Sequence, residues 1–405
     1  MAKMRVLGLV LAGSEGKRLW PLTADRAKAA VPFGGCFRLV DIALSSMINA
    51  GYRRIFVLTQ YKSHSLNRHI TTAWRMSHLL DAAVTPVPAQ QRLGPRWFTG
   101  SADAVYQSLN LLYDDGPNYV IVFGSNHVYR IDPSQVIEDH IASGADVTMV
   151  GIRVSLARAS RVGVIQTDDG TTITGYLHRP ADPPAAPDDP SVAFASMGIY
   201  VFTTQALIQA LQTDAADESS VHDVGRSVIP YFVNLRTANL YDYAKNDVPG
   251  ATDHDRSYWR DIGTLDDYHE SHLDLAAAHP FFNLYNDDWP ILTLPGSLSP
   301  AKFGEYGTAL DSIVNGGTII TGSTVQQSVV SYNVRIQPGS RVERSVLLPG
   351  VRIGRDAVVR NAILDKNVVV ADGATVGVNP AQDHRLLAVS EGGITVIGKG
   401  RVVVR

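Results

Sequence analysis

An unbroken apolar run, Val6 to Leu11, opens the ordered pattern of the chain and gives way at once to a polar, glycine-bearing stretch, Gly13 to Gly16. A run of that length bounded by turn residues predicts a strand buried on both faces, as in a parallel sheet. The spacing of Leu39, Ala43, Leu44 and Met47 then predicts a helix over Phe37–Ala50, punctuated by Gly51, with a strand at Arg54–Thr59. Residues 64–82 predict a second helix, Thr85–Gln91 an extended segment held open by Pro86 and Pro88, and Ser101–Tyr113 a third helix. The strand Tyr119–Phe123, the helix Pro133–Ile141 and the strand Val147–Val154 repeat the alternation. Strands alternating with helices predict an α/β domain whose ligands sit at the strands' carboxyl ends.

Between Val162 and Phe202 the pattern turns strand-rich and carries a proline-rich insertion, Pro180–Pro190, read as a surface excursion from the same domain. Residues 204–212 and 222–229 return to helical spacing, and a last helix is predicted at Leu265–Ala276. After residues 287–300 the period changes. Ile313, Ile319, Val325, Val342, Leu347, Ile353, Val359 and Val369 recur in steps near six, with Gly, Asn or Asp between them. No helical stripe has that period, whereas the short faces of a parallel β-helix do. Gly393–Arg405 is extended and predicts an edge strand, a place where a second copy can attach.

Composition narrows the classes. A chain of 405 residues, 45% of them hydrophobic, is long enough for two packed domains and too apolar for disorder. Its 36 Lys and Arg balance 39 Asp and Glu, which argues against a dedicated nucleic-acid binder, and Arg96-Trp97-Phe98 has no repeat around it to revive that reading. One cysteine, Cys36, excludes an intrachain disulfide and a cysteine-rich metal site. No apolar span is long enough for a membrane helix, and the start lacks a convincing cleavage region, so a cytoplasmic location is expected. His64, His69 and His78 lack zinc-site spacing.

The candidate chemistry lies where the first strand opens. Gly13–Gly16 offers backbone N–H groups to an anion; Lys17 and Arg18, then Arg26 and Lys28, add positive charge. Such a stretch is expected to wrap a nucleoside triphosphate whose nucleotidyl group passes to a sugar-like phosphate; the other reading, a basic solvent-facing loop, stays open on these residues alone. Gly124-Ser125-Asn126-His127 ends a predicted strand and is expected to reach the same cleft.

Taken together, the phrases LAGSEGKRLWPLTADRAKAAVPFGG, LTQYKSHSL, WFTGSADAV, ASMGIYVF, HDVG and YWRDIGT, in that order, resemble the ADP-glucose pyrophosphorylase (glucose-1-phosphate adenylyltransferase) family over most of the chain. The resemblance implies a Rossmann-like nucleotidyltransferase domain, residues 1–286, followed by a linker and left-handed parallel β-helix, residues 287–405, in a homodimer or homotetramer. It implies Mg2+ and a nucleoside triphosphate reacting with a sugar 1-phosphate. Carried over by position, Arg18 and Lys28 are phosphate clamps, while Asn126 and Asp261 are the catalytic and metal-holding pair. Leu11, Ala12, Gly13, Ser14, Gly16, Lys17, Gln90, Gly100, Ser101, Ala102 and Asp103 fall on the nucleotide side, with Gln107 beside them. His178, Arg179, Ser196, Met197, Gly198 and Asp261 fall on the sugar side.

Departures from the family pattern sharpen the expectation. Ser14, Ala29 and Ser101 stand where it has Gly, Pro and Thr, and read as tuning. Asn126 replaces a catalytic aspartate, and Ser125 the preceding glycine, so metal attraction is weakened unless another anion compensates. His178-Arg179 replaces Glu-Lys, exchanging an anionic acceptor for a donor and an ammonium for a planar guanidinium. That pair suits an altered acceptor, including a valienol-type or other C7-cyclitol phosphate of secondary metabolism, with ATP leading and GTP the alternative. A noncatalytic regulatory subunit is the other reading that Asn126 leaves open. Asp25 occupies a site that is lysine in some effector-binding relatives, so fructose bisphosphate activation is not carried over.

Overall fold

The computed structural model describes residues 4–77, 82–92, 94–294 and 296–404. The chain divides into two compact units. The first holds the chain up to Ser14, Ile42–Trp259 and Asp287–Pro290; the second holds Glu15–Asp41, Arg260–Asn286 and everything from Ile291 on. The expected segments 1–286 and 287–405 therefore differ from the compact units at 15–41 and 260–286.

The first unit is built on one sheet, nine-stranded among the described residues. Val6–Leu11 lies between Arg54–Thr59 and Tyr119–Gly124, parallel to both, and Ala83–Pro88 extends the parallel half. The long strand Val192–Thr203 runs antiparallel to Tyr119–Gly124 and to Val147–Ser155. Leu7, Leu9, Val120 and Val122 are buried with Phe194 and Phe202, which is why these strands read as continuous apolar runs. Gly8 is one exception with a packing reason: a Cβ there would lie 2.6 Å from the Met47 sulfur.

Three helices differ from their sequence expectation. The helix from His64 ends at Ala73, where buried Trp74 leaves helical backbone angles; His78 and Leu80 lie outside the described residues. Ser101–Tyr113 is two helices, Ser101–Tyr106 and Leu109–Asp115. At the break Gln107 donates to Asp103 (2.8 Å) and Ser108 to the Ala104 carbonyl (2.8 Å), so polar side chains are satisfied locally. Residues 222–229 open with a π-helical turn, Val224–Val228, whose cap is Asp223. The 180–190 insertion is anchored in its own unit through the Ala186 N–H on the Val192 carbonyl (2.8 Å).

The second unit is a three-walled parallel β-helix. Ile320, Ile336, Ile353 and Val370 stack in register on one wall; Val325, Val342, Val359 and Val376 stack on the next; Val330, Leu347 and Leu364 fill the third. All are buried. Of the residues in the near-six pattern, Val325, Val342, Leu347, Ile353 and Val359 face inward, whereas at Ile313, Ile319 and Val369 the next residue, Val314, Ile320 or Val370, does. At Gly350, φ is +78° and a Cβ would lie 2.3 Å from Asn367 Oδ1, so the turn of one coil seats the polar turn of the next. The final stretch supplies Thr395–Ile397 and Val402–Val403 as rungs of two walls.

Segments 15–41 and 260–286 are tied into this unit by polar bonds. Arg26 donates from Nη2 to both carboxylate oxygens of Asp365 (2.7 and 2.9 Å), both side chains buried. The helix Leu265–Ala276 begins at a reciprocal Thr264–Asp267 capping box, and its Tyr268 hydroxyl donates to the Pro32 carbonyl (2.6 Å).

Candidate functional site

The first unit encloses a cavity of about 470 Å3 at the carboxyl ends of its parallel strands. Leu11, Gly13 and Ser14 follow the first strand into it; Gly124, Asn126 and His127 follow the strand Tyr119–Gly124. Gly198 and Tyr200 enter from the long antiparallel strand, and Gly100, Ser101 and Asp223–Gly225 close another side. Gly198 has φ of +68°, and a Cβ there would lie 3.1 Å from the His127 ring, so glycine lets backbone and imidazole meet. Asn126 Nδ2 lies 3.2 Å from His127 Nε2. Trp259 packs on the same imidazole, 5.2 Å between ring centres, and its carbonyl accepts from Arg158 (3.0 Å).

Of the nucleotide-side candidates, Leu11, Gly13, Ser14, Gly100 and Ser101 line this cavity. Ala12 is buried, with its N–H on the Leu58 carbonyl (2.9 Å). Ala102 and Asp103 are not among the residues that line the cavity. Ala102 is fully buried, and the Asp103 carboxylate accepts from the Thr99 N–H (2.9 Å), Gln107 (2.8 Å) and Arg96 (3.2 Å), leaving it committed to its own helix start. Gln90 is exposed and lies off the cavity wall. On the sugar side only Gly198 lines the cavity; Met197 is buried in the core, and Ser196 Oγ accepts from the Gly198 N–H (3.3 Å). His178 and Arg179 are exposed at the end of the strand Ile173–His178 and do not line the cavity, although His178 lies near enough to Asp223, which does, to feel its charge. Burial first, then Arg179 and Arg226, hold the His178 ring below its ordinary titration range.

The second unit brings Arg18, Lys28 and Asp261 together. Lys28 is buried, its Nζ 3.9 Å from Asp261 Oδ1. Gly263 leaves room there: a Cβ would lie 2.9 Å from Asp261 Oδ2 and 3.4 Å from Arg18 Nη2. Desolvation lowers the Lys28 pKa, opposed by Asp261 and reinforced by Arg18. Gly16, at φ +67°, packs under the Lys28 stem, whereas Lys17 is exposed and pairs with Glu15 (3.4 Å). Among the described residues no group of three or more His, Cys, Asp or Glu gathers to hold a metal. Asp261 alone, 24% exposed, suits a hard cation whose remaining ligands are phosphate oxygens and water, the usual way Mg2+ is held in phosphoryl chemistry.

Sequence reasoning passed over Gln60, Phe98, Tyr200 and Asp223–Gly225, which line the cavity. Gln60 grips the backbone of Phe98 from both sides, accepting its N–H (2.7 Å) and donating to its carbonyl (3.2 Å). The phrases LTQYKSHSL, WFTGSADAV, ASMGIYVF and HDVG contain all of these positions, so the signal was there without a role attached.

The pattern of the nucleotidyl transferase family matches residues 7–278, and that of the GlmU-like C-terminal hexapeptide matches residues 295–397. The chain is 60% identical over 408 residues to a glucose-1-phosphate adenylyltransferase of Parafrankia sp. (strain EAN1pec), covering 99% of both chains. It is 60% identical over 407 residues to the protein of the same name from Frankia casuarinae, again 99% of each. To that of Corynebacterium diphtheriae it is 58% identical over 403 residues, 99% of this chain and 94% of the relative.

Proposed function

The chain belongs to the nucleotidyl transferase family, among the glucose-1-phosphate adenylyltransferases, and on that footing we propose that it joins a nucleoside triphosphate to a sugar-like 1-phosphate and releases pyrophosphate. The 1-phosphate oxygen attacks the α-phosphorus and the β–γ pyrophosphate departs. A phosphate monoester is already ionised near neutral pH, so no covalent nucleophile or strong base is required of the protein.

The observation that carries this reading is the buried ammonium of Lys28 beside Asp261 and Arg18. Lys28 has Asp261 as its anionic neighbour, and a triphosphate would add negative charge where Lys28 and Arg18 bring two cations together. Arg18 spreads charge over phosphate oxygens while Lys28 contacts one as a compact cation. Asp261 would hold Mg2+, which when bound neutralises charge on the phosphates. The cavity of the first unit, lined by Gly13, Gly100, Gly124, Gly198 and Tyr200, suits a flat or sugar-like group. ATP leads because the relatives are adenylyltransferases by name.

His178 and Arg179 support an acceptor whose polar groups differ from those of glucose 1-phosphate, and a cyclitol 1-phosphate, with GTP as donor, belongs to the same proposal. Asn126, an amide where the family has a carboxylate, favours one second reading, a regulatory subunit without turnover.

The deciding assay supplies Mg2+ with ATP, GTP, UTP or dTTP against a panel of sugar and cyclitol 1-phosphates and measures pyrophosphate and the nucleotide-linked product. Turnover that disappears in Arg18→Ala and Lys28→Ala is expected. No turnover with any pair, together with stimulation of an active relative on mixing, would replace the enzyme with the regulatory subunit. Asn126→Asp separates a weakened metal position, which gains activity at limiting Mg2+, from a compensated one, which does not.

A further inference from the structure

One side of the cavity in the first unit is held from behind by residues that do not line it. Asp214, nearly buried in the last turn of the helix Thr204–Ala215, accepts from Ser220 Oγ (2.5 Å) and lies 2.9 Å from His222 Nδ1. Ser220 Oγ in turn accepts the His222 N–H (3.0 Å). His222 is thereby fixed at φ of +50°, a left-handed conformation that histidine seldom adopts. In that conformation its carbonyl accepts the N–H of Ala102 (2.7 Å) and, at longer range, that of Asp103 (3.4 Å). These are first-turn donors that the helix Ser101–Tyr106 cannot satisfy itself.

The bond is reinforced on both flanks. Gly100 lies so close that a Cβ would come within 2.1 Å of the His222 oxygen. On the other flank Ser101 Oγ donates to Asp223 Oδ2 (2.8 Å) and accepts the Val224 N–H (2.9 Å). Gly100, Ser101, Asp223 and Val224 all face the cavity. The carboxylate–imidazole contact thus sets one backbone carbonyl, and that carbonyl joins the two segments forming the wall.

We propose that Asp214 and His222 are positioning residues, a clamp that holds the Gly100–Ser101 and Asp223–Val224 segments in register and so sets the affinity of the cavity for its substrate. The inference rests on the nucleotidyl-transfer reading only for its kinetic readout. A clamp that acts through geometry, outside contact with the substrate, raises KM while leaving kcat nearly unchanged. It also predicts a specific rescue. Asparagine tolerates left-handed backbone and places an amide donor where Nδ1 stands, so His222→Asn preserves what His222→Ala removes.

The experiment compares wild type, His222→Ala, His222→Asn and Asp214→Asn by steady-state kinetics and by amide hydrogen exchange at Ala102 and Asp103. In His222→Ala a substrate KM rises about tenfold, with kcat within about twofold and exchange at both amides at least about tenfold faster; His222→Asn stays close to wild type in all three. Unchanged exchange at Ala102 and Asp103 in His222→Ala would overturn the clamp, as would His222→Asn failing as badly as alanine. If His222→Ala does not fold, Asp214→Asn, which keeps the side-chain volume, decides by the same exchange measurement. Absence of wild-type turnover would remove the transfer reading and leave the exchange result to judge the clamp alone.

Discussion

The cavity wall of the first unit and the coils of the second both rely on backbone packed too closely for an extra methyl group, but they distribute that closeness in opposite ways. In the wall the close approach of Gly100 to the His222 carbonyl, flanked by the bonds of Ser101 to Asp223 and Val224, joins two segments without any periodic repetition. In the β-helix the same kind of contact recurs, Gly317 under Asn333, Gly339 under Asp356 and Gly350 under Asn367, in each case with the polar residue one coil after the glycine. The inward side chains repeat too, Val325 on Val342 on Val359. A repeated contact is a scaffold, since neighbouring coils still stack when one is weakened. A contact made once is where position itself is being specified. Substitutions of similar physical size should therefore move stability in one unit and substrate handling in the other.

The largest effect that this contrast predicts is in the scaffold. Leu347 is fully buried on the third wall between Val330 and Leu364, so Leu347→Ala removes its burial and leaves a cavity. A loss of about 2–5 kcal/mol in denaturant unfolding is expected, with turnover per folded molecule unchanged. If kcat or KM moved with it, the division of labour would be wrong. Next comes Gly100→Ala, where the added Cβ meets the His222 oxygen and forces the wall open. Turnover at subsaturating substrate should fall roughly 100-fold, the scale of an ångström-sized displacement in an active site. Wild-type kinetics in Gly100→Ala would show that the wall carries no substrate.

The same contrast explains what the sequence made readable. Repetition is legible: Val325, Val342 and Val359 announce a wall of the β-helix because each turn of the coil asks for the same residue type again, although Ile313 and Ile319 sit one residue off the inward positions. Strands buried on both faces were legible for a similar reason, since Val6–Leu11 needs apolar side chains on either side. The helix ends were not, because the break after Tyr106 depends on where Gln107 finds Asp103, a tertiary fact. Nor was the grouping of residues 15–41 with the β-helix: Arg26 meets Asp365 across 339 positions, and no local pattern encodes that pairing. Within the site, Arg18, Lys28 and Asp261 were identified through family resemblance and then brought together by the fold. The bonds of Asp103 to its own helix start were not legible, because a carboxylate beside a glycine turn looks the same in sequence whether it faces a ligand or a helix N-terminus.

The smallest predicted effect tests whether the two units also differ in their response to acid. Each holds a buried neutral histidine. In the first unit His140 sits between Thr148 Oγ1 (2.9 Å) and Thr203 Oγ1 (3.2 Å), and burial pushes its pKa down to about 4. In the second, His272 accepts the Gly34 N–H (3.2 Å) on Nε2 and donates from Nδ1 to the Tyr268 carbonyl (2.8 Å); burial pushes it to about 3. Both values lie below the 6.5 of an unfolded histidine, so the unfolded chain binds protons more readily. The stability each contributes is therefore complete above pH 6.5 and declines as the pH falls, ending near pH 4 for His140 and near pH 3 for His272. At pH 5 each should have lost about 2 kcal/mol relative to pH 7. Denaturant unfolding of wild type, His140→Gln and His272→Gln at the two pH values isolates each share, because a neutral amide does not titrate. Between pH 7 and 5 the two variants should recover equal amounts; below pH 4 only the His272 share continues to grow. An identical pH dependence in wild type and both variants would mean that neither histidine is held neutral by its surroundings.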